Sequence, residues 1–359
     1  MGTMLYNVNN SATQVLAAKQ IKNNLFVSLL HRDGKGVTEH TETNVSTIRI
    51  LKPAVPTGSA RQLGAANNGG WFNGAPAGFQ DILEYDLNLT YIYDLMTDIP
   101  EVQEDMVPVS VFDATNKNIG GRVATEINAS TIAEQLVNRF NAAKAANSWG
   151  NVAIIQGTTG KVAYDAVMSA SAKLDDGDET VGIQGYPFEE RQLLMRSAFR
   201  QKLMSETGVI LGGSNYAQSM VAKGALSPEA AKEYGNMYCG EIDLIPCYIT
   251  PAPIWNRAAA WMGGATLGSV EAVMCAASAT DRGISTMDYV KVIDSPNGAG
   301  KRLQPKVRWG INVCYGSGIV PILANGTAVP SADAAIAAPG SHPTAGAGEG
   351  TSDGDGNDL

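Results

Sequence analysis

The chain has 359 residues, of which 44% are hydrophobic and 17% are charged, and its formal net charge is −9 at pH 7. This apolar content is enough for a large core, and the length allows one large domain or two to three lobes. The acidic balance argues against a protein that coats nucleic acid through its phosphates. The sequence contains no run of about 18 apolar residues, so it predicts no membrane-spanning helix. The opening MGTMLYNVNN predicts no signal peptide, and four cysteines are too few for a disulfide scaffold.

The charged fraction of 17% is low, because soluble domains usually have about 25%. One interpretation is a surface built from Asn, Ser, Thr and Ala. The other is a surface that lies against further subunits, since interface cores are depleted of Lys, Glu and Asp. Composition alone does not separate these two interpretations.

Residues 11–33 carry apolar side chains at helical spacing, which predicts an amphipathic helix or arm. The stripe consists of Val15, Leu16, Ala18, Ile21, Leu25, Phe26 and Leu29. Its apolar face must pack on another part of the protein. Gly34 and Gly36 end the helical pattern.

Residues 83–93 alternate between apolar and polar side chains, which predicts one strand roughly 36 Å long. Residues 45–51 predict a second strand, and the stretch between the two is rich in Gly, Ala and Asn. This pattern predicts a long hairpin that reaches away from the body of the protein. An isolated hairpin is marginal in water, so the hairpin needs a partner surface. Trp71 and Phe72 would be anchors there, unless they fold back on their own core.

A long helix follows. Thr131 and Glu134 have the spacing of a capping box, and the apolar residues that follow form a helical stripe. The helical pattern extends back to about Arg122, which predicts a helix of ~25 residues and about 38 Å. Ser148-Trp149-Gly150 ends it.

Residues 151–282 alternate short helices and strands, and two further strands follow them. The predicted elements are helices at 162–174 and 198–206, a helix start at Ser227-Pro228, strands at 193–196 and 242–250, and late strands at 287–293 and 307–315.

Candidate chemical sites are weak. No two cysteines have metal-ligand spacing, and each lies in an apolar context that favours burial, although a Cys/His pair formed in space stays open. The segments GTTGK (157–161) and GAGKR (298–302) lack the spacing of a phosphate loop and are interpreted as turns. The acidic run DDGDE (175–179) lacks the spacing of a calcium loop. We therefore predict no catalytic residue, no cofactor and no metal ion.

The order of elements resembles the tailed-bacteriophage major capsid protein of the Hong Kong 97 type. Three segments carry the resemblance, which covers roughly residues 11–325. They are DILEYDLNLTYIYDLMTDIPEVQEDMVPVSVFDA (81–114), ASTIAEQLVNRFNAAKAA (129–146) and DYVKVIDSPNGAGKRLQPKVRWGINVCYGSGIV (288–320). They resemble, in turn, the returning hairpin strand, the spine helix and the late strands of the peripheral domain.

The resemblance implies an α+β capsid fold with five parts. These are an N-terminal arm (1–42), an extended loop formed by the long hairpin (43–95), a peripheral domain with the spine helix (96–150 and 283–325), an axial domain (151–282) and a flexible acidic tail (326–359).

The resemblance also implies a structural protein that assembles as hexamers and pentamers into an icosahedral shell around double-stranded DNA, without sequence-specific binding. It implies a virion component assembled in the cytoplasm of a bacterial host. Separate scaffolding and portal proteins are expected partners, and a decoration protein is left open. We expect no covalent cross-link, because no partners for Lys52 are identified. The candidate residues of the intersubunit interface are Arg61, Trp71, Phe72, Tyr85, Tyr91, Lys301 and Arg302.

Two other functions remain open at this stage. An encapsulin-like nanocompartment would have the same shell fold and enclose enzymes. A soluble α/β enzyme would need a cleft of convergent polar groups and would form a small closed oligomer.

Overall fold

The structure of the chain is a computed structural model. It describes residues 11–31, 36–43, 45–53, 82–94, 96–100, 110–178, 183–210, 237–264, 267–286, 291–294 and 300–337. The predicted helix start at Ser227-Pro228 lies outside these ranges.

Five helices and fifteen strands are found within the described ranges. The helices are α1 (Ser11–Ser28), α2 (Ser110–Ala146), α3 (Val162–Asp176), α4 (Ser197–Ile210) and α5 (Ala252–Trp261). The strands are β1 (Thr38–Thr43), β2 (Thr47–Pro53), β3 (Ile82–Asn88), β4 (Tyr91–Asp94), β5 (Thr97–Pro100), β6 (Ile154–Ile155), β7 (Arg191–Met195), β8 (Tyr238–Ile242), β9 (Ile245–Ile249), β10 (Val270–Ala276), β11 (Thr280–Thr286), β12 (Lys291–Asp294), β13 (Gly300–Gln304), β14 (Lys306–Val313) and β15 (Ile319–Leu323). The predicted α+β class is confirmed.

A six-stranded mixed sheet forms the centre of the largest core, in the order β6-β15-β10-β7-β9-β8. Strands β7 and β10 are almost entirely buried, and helices α3 and α4 contact the sheet. Strand β15 comes from residues 319–323, which the predicted division places in the peripheral domain, yet it pairs with β10 in this sheet.

A four-stranded sheet, in the order β1-β11-β14-β4, lies on the spine helix α2. Trp309 of β14 donates from its indole nitrogen to Ser130 Oγ of α2 at 2.9 Å. Gln135 of α2 donates to Thr280 Oγ1 of β11 at 3.2 Å. These contacts use one face of the sheet, so the opposite face of β11 and β14 is left for another part of the chain.

The predicted long strand at 83–93 is wrong as a single element. The chain forms β3, which pairs with β2, and then β4, which pairs with β14 in a different sheet. Between them, Thr90 N donates to Asn88 O at 3.1 Å and Leu89 N donates to Ser46 O at 2.9 Å. The alternation of apolar and polar residues continues across this turn, so periodicity alone could not reveal the break.

The predicted strand at 242–250 corresponds to β9, which begins three residues later, and the preceding strand β8 was not predicted. Asp243 and Leu244, with φ of 50° and 65°, form the tight turn between β8 and β9. Paired left-handed residues are typical of a type I′ turn, which usually contains glycine or asparagine. Leucine rarely adopts this conformation, so the sequence offered no reason to predict a turn at Leu244.

The spine helix has 37 residues, which corresponds to about 55 Å, and it begins well before the predicted start near Arg122. The predicted capping box is wrong. Thr131 is buried inside the helix and donates from Oγ1 to Ile127 O at 2.7 Å, while Glu134 accepts from Tyr91.

Residues 326–337, the first part of the predicted flexible tail, pack on the helices instead. We call this segment the strap. Asn141 of α2 donates to Ala334 O and accepts from Ala334 N, both at 2.9 Å. Ala337 N donates to Trp261 O at 2.8 Å, at the end of α5. The strap is therefore part of the folded body.

Candidate assembly surface at the arm root

Strands β2 and β3 form a two-stranded antiparallel ribbon, and this confirms that the two predicted strands pair with each other. The register runs from Thr47 opposite Asn88 to Pro53 opposite Ile82. We call the ribbon and the intervening residues 54–81 the arm. Seven residues per strand give the ribbon a length of about 23 Å.

The inner half of the ribbon has a small apolar core, which we call the arm root. Its four buried members are Ile48, Ile50, Leu87 and Leu89, with Val45 and Tyr85 packed against them. These residues form a cluster separate from the main core of the body. The arm root is thus a small packed unit of its own.

The arm root rests on two glycines of the four-stranded sheet. Gly283 of β11 and Gly310 of β14 are directly opposite each other. A Cβ on Gly283 would lie 2.8 Å from Leu89 Cδ2 and 2.9 Å from Leu87 Cδ2. A Cβ on Gly310 would lie 2.2 Å from Asn88 O. Only glycine lets the arm come this close, so this glycine pair forms a socket for the arm root.

Hydrogen bonds on the same face of β11 join the arm to the body. The hydroxyl of Tyr85 donates to Asp281 Oδ2, and Cys314 Sγ lies 3.0 Å from the same oxygen. His40 Nε2 lies 3.4 Å from Asp281 Oδ1. Two residues further along β11 than the glycine, Ser285 Oγ accepts from Val45 N at 3.2 Å.

Asp281, at the centre of this polar cluster, is buried. The Asp281 side chain has no exposed surface. Burial, followed by the hydrogen bonds to Asp281 and Cys314, raises the pKa of the Tyr85 hydroxyl far above its usual value. Tyr85 therefore stays protonated at neutral pH and can donate its hydroxyl proton to Asp281.

The structure places two predicted interface residues inside contacts of their own chain. Tyr85 is half-buried at the arm root, as described above. Tyr91 donates to Glu134 Oε1 at 2.9 Å and packs edge-on against Trp261, with ring centroids 4.9 Å apart. Their role between subunits stays a prediction.

Arg302 forms a bidentate ion pair with Asp98 of its own chain, at 2.6 and 2.8 Å, and Lys301 lies in β13 opposite Ile99. Arg61, Trp71 and Phe72 lie outside the described residues. For these five residues as well, the predicted interface role stays a prediction.

The segment 157–161 precedes helix α3, as a phosphate loop would, but the first turn of that helix is already occupied. Glu206 Oε2 accepts from Ala163 N at 2.7 Å and from Tyr164 N at 3.0 Å. A phosphate would have to displace this carboxylate from the helix N-terminus. The interpretation of this segment as a turn fits the geometry.

Asp175 of the acidic run is ion-paired with the buried Arg191 at 2.5 Å. Across the part of the chain that the structure describes, no group of three or more His, Cys, Asp or Glu residues is arranged to hold a metal ion. None of the described helices combines the length and apolar composition needed to cross a membrane.

The sequence analysis did not identify the residues that hold the arm root, which are Asp281, Gly283, Ser285 and Gly310. One signal was present, because Gly310 lies inside the predicted strand at 307–315, and a glycine inside a strand often marks a close backbone approach. Asp281 offered no signal, since an isolated aspartate in a strand shows its partners only in three dimensions.

The sequence matches no protein-family model and no curated protein. Solved structures similar to the chain include the capsid of the cyanophage P-SCSP1u, with 12% identity, 82% of this chain and 88% of that chain covered, and a TM-score of 0.46. The head of Helicobacter pylori bacteriophage KHP40 is similar at 9% identity, with 85% and 91% covered and a TM-score of 0.49. A virus-like particle from Pyrococcus furiosus is similar at 10% identity, with 85% and 97% covered and a TM-score of 0.42.

Proposed function

We propose that the chain is the major capsid protein of a tailed phage, a structural protein that assembles with copies of itself into a closed shell. The observation that carries this proposal is the arm. One face of its ribbon is docked in the glycine socket, while Leu51, in the outer half and on the opposite face, is 62% exposed. A two-stranded ribbon is marginally stable in water, so the outer half needs a partner surface. A second copy of the chain supplies that surface, and the low charged fraction agrees with extensive interfaces.

The finer assignment rests on the family resemblance. In it, copies of the chain form hexamers and pentamers, the arm lies across a neighbouring subunit, and the shell encloses double-stranded DNA in the virion. Assembly takes place in the host cytoplasm with separate scaffolding and portal proteins. A net charge of −9 fits a lumen that does not immobilise the packaged DNA.

The test is negative-stain electron microscopy and sedimentation of the purified full chain, alone and co-expressed with its neighbouring genes. We expect closed icosahedral or tubular particles. A uniform dimer or tetramer under every condition would contradict the proposal and favour the soluble enzyme. Particles filled with protein and free of nucleic acid, when isolated from cells that carry the complete set of genes, would favour the nanocompartment.

Leu51→Asp tests whether the outer half of the arm is an interface. A charge placed in an apolar contact is costly, so we expect at least a tenfold lower particle yield. Because Leu51 is exposed in the subunit, its free energy of unfolding should change by less than about 0.5 kcal/mol. The matched control Leu51→Met keeps the contact apolar and should assemble normally. Equal yields for the Asp and Met variants would remove the outer arm from the interface.

A further inference from the structure

The arm-facing side of β11 is used at three successive alternate positions. Asp281, Gly283 and Ser285 contact Tyr85, the leucines of the arm root and Val45, respectively. The even-numbered positions of the strand face the spine helix: Thr280 bonds to Gln135, and Arg282 bonds to Asn128. Strand β11 therefore separates the arm from the spine.

The contacts between the arm and this side of the sheet are of two different kinds. At Gly283 the leucines of the arm root meet a strand position without a side chain, and apolar contact of this sort is non-directional. At Asp281 the arm is held by a hydrogen bond from Tyr85 to a buried carboxylate, and such a bond requires a narrow range of angles. A hydrogen bond to a charged group is also about twice as strong as a neutral one.

We propose that Asp281 is a positioning residue that sets the angle of the arm on the body. The latch consists of the Asp281 carboxylate with Tyr85 from the arm and His40 and Cys314 from the body. The glycine socket allows the arm root to turn, and the latch selects one orientation. This inference rests on the proposed function, since a shell built from hexamers and pentamers of one chain requires a controlled arm angle.

Cys314 provides a direct readout of the latch in the subunit. It is half-buried, and its Sγ lies 3.3 Å from the Tyr85 hydroxyl. The other three cysteines are buried, and burial raises the pKa of the Cys239 thiol to about 11 and that of Cys275 to about 12. Since thiolates are the reactive species, labelling of the native subunit with Ellman's reagent reports Cys314.

The test variant is Tyr85→Phe, which removes the hydroxyl and keeps the ring. A lost hydrogen bond to a charged group, about 2 kcal/mol, corresponds to an increase of about 30-fold in the population of the released arm, and we expect the same increase in the labelling rate. Tyr91→Phe is the matched control: it removes a half-buried hydroxyl bound to Glu134 on the other side of the sheet, and its rate should equal that of the wild type. Asp281→Asn, which keeps the shape of the side chain, tests the latch independently.

Hydrogen exchange at the β2 and β3 amides separates release of the arm from a local change in thiol chemistry. We expect faster exchange in Tyr85→Phe and Asp281→Asn together with faster labelling. Faster labelling with unchanged exchange, or no change in either, would overturn the inference. These measurements are made on subunits and do not require particles. A wild type that never assembles would refute the shell while leaving the latch testable.

Discussion

His31 is a buried histidine at the point where the N-terminal segment meets the four-stranded sheet. Neither ring nitrogen has a hydrogen-bond partner among the described residues. Its carbonyl oxygen accepts from Arg282 Nη2 at 2.6 Å, and Arg282 is itself ion-paired with Glu39. Burial first, and the positive charge of Arg282 second, lower the pKa of His31 well below its usual value.

This environment predicts an acid-sensitive contribution to stability. In the unfolded chain His31 takes up a proton near pH 6.5, whereas in the folded chain it stays neutral, so the unfolded state binds more protons below that pH. The free energy of unfolding should then fall by up to about 1.4 kcal/mol per pH unit as the pH drops below about 6.5.

His31→Leu should remove this slope, because leucine fills an apolar site without titrating. At pH 7.5 its stability should lie within about 1.5 kcal/mol of the wild type, as for other swaps of similar volume. Urea unfolding of both proteins at pH 7.5, 6.5 and 5.5 measures the difference. If the free energy of unfolding changed equally with pH in both proteins, His31 would not contribute to the acid sensitivity.

At the scale of elements, the spine helix contains two adjacent glycines with opposite roles. Helix α1 crosses α2 at Gly120, where an added Cβ would lie 2.8 Å from Asn24 Cβ and 3.1 Å from Leu25 N. At Gly121 an added Cβ would meet nothing within 4 Å. The first glycine is therefore required by packing, and the second only weakens the helix.

Alanine substitutions at these two positions should shift stability in opposite directions. Gly120→Ala forces α1 away from α2 and should cost about 1–3 kcal/mol. Gly121→Ala should stabilise the protein by about 0.5–1 kcal/mol through helix propensity. Urea unfolding compares the two variants, which serve as each other's controls. The same sign for both would mean that the α1–α2 crossing is not tight at Gly120.

These glycines also explain what the sequence could and could not predict. The apolar spacing predicted the position of the spine helix but not its first part. Adjacent glycines disfavour a helix in the sequence, and the packing of α1 on Gly120 is known only from the structure. The hairpin followed from alternation and a turn-rich stretch. The break of the hairpin strand at Asn88 could not be predicted from the sequence, because only the approach to Gly310 shows that β3 and β4 belong to different sheets.

The candidate site was predictable only as a region. The sequence placed Tyr85 on a strand of the hairpin and among the candidate interface residues. Its partners, Asp281 and Cys314, lie about 200 residues away in the chain, with separations of 196 and 229. Such long-range pairs depend on the sheet order, which no local pattern contains.

At the scale of the whole molecule, the strap ties the end of the chain to two helices that are distant in sequence. Besides the bonds to Asn141 and Trp261, Asp333 forms an ion pair with Lys144 at 2.8 Å, and Trp149 donates from its indole nitrogen to Thr327 O at 3.1 Å. Ile336 packs against the main core. The strap therefore adds contacts across α2 and α5.

Two truncations test the strap. Deleting residues 338–359 leaves these contacts in place, and the free energy of unfolding should change by less than about 0.5 kcal/mol. Deleting residues 331–359 removes the bonds to Asn141 and Trp261 and the packing of Ile336, and should cost roughly 2–4 kcal/mol. Thermal and urea unfolding measure both. Equal stability of the two truncated chains would show that the strap contributes nothing to the fold.

The strap also determines the point on the subunit from which a fused protein would extend. Strand β15 ends at Leu323, but the backbone is held again at Ala337, beside Met262. A peptide or enzyme fused directly after Ala337 would therefore be held beside Met262, at the end of α5. The position of such a cargo on the subunit would be set by the geometry around Trp261.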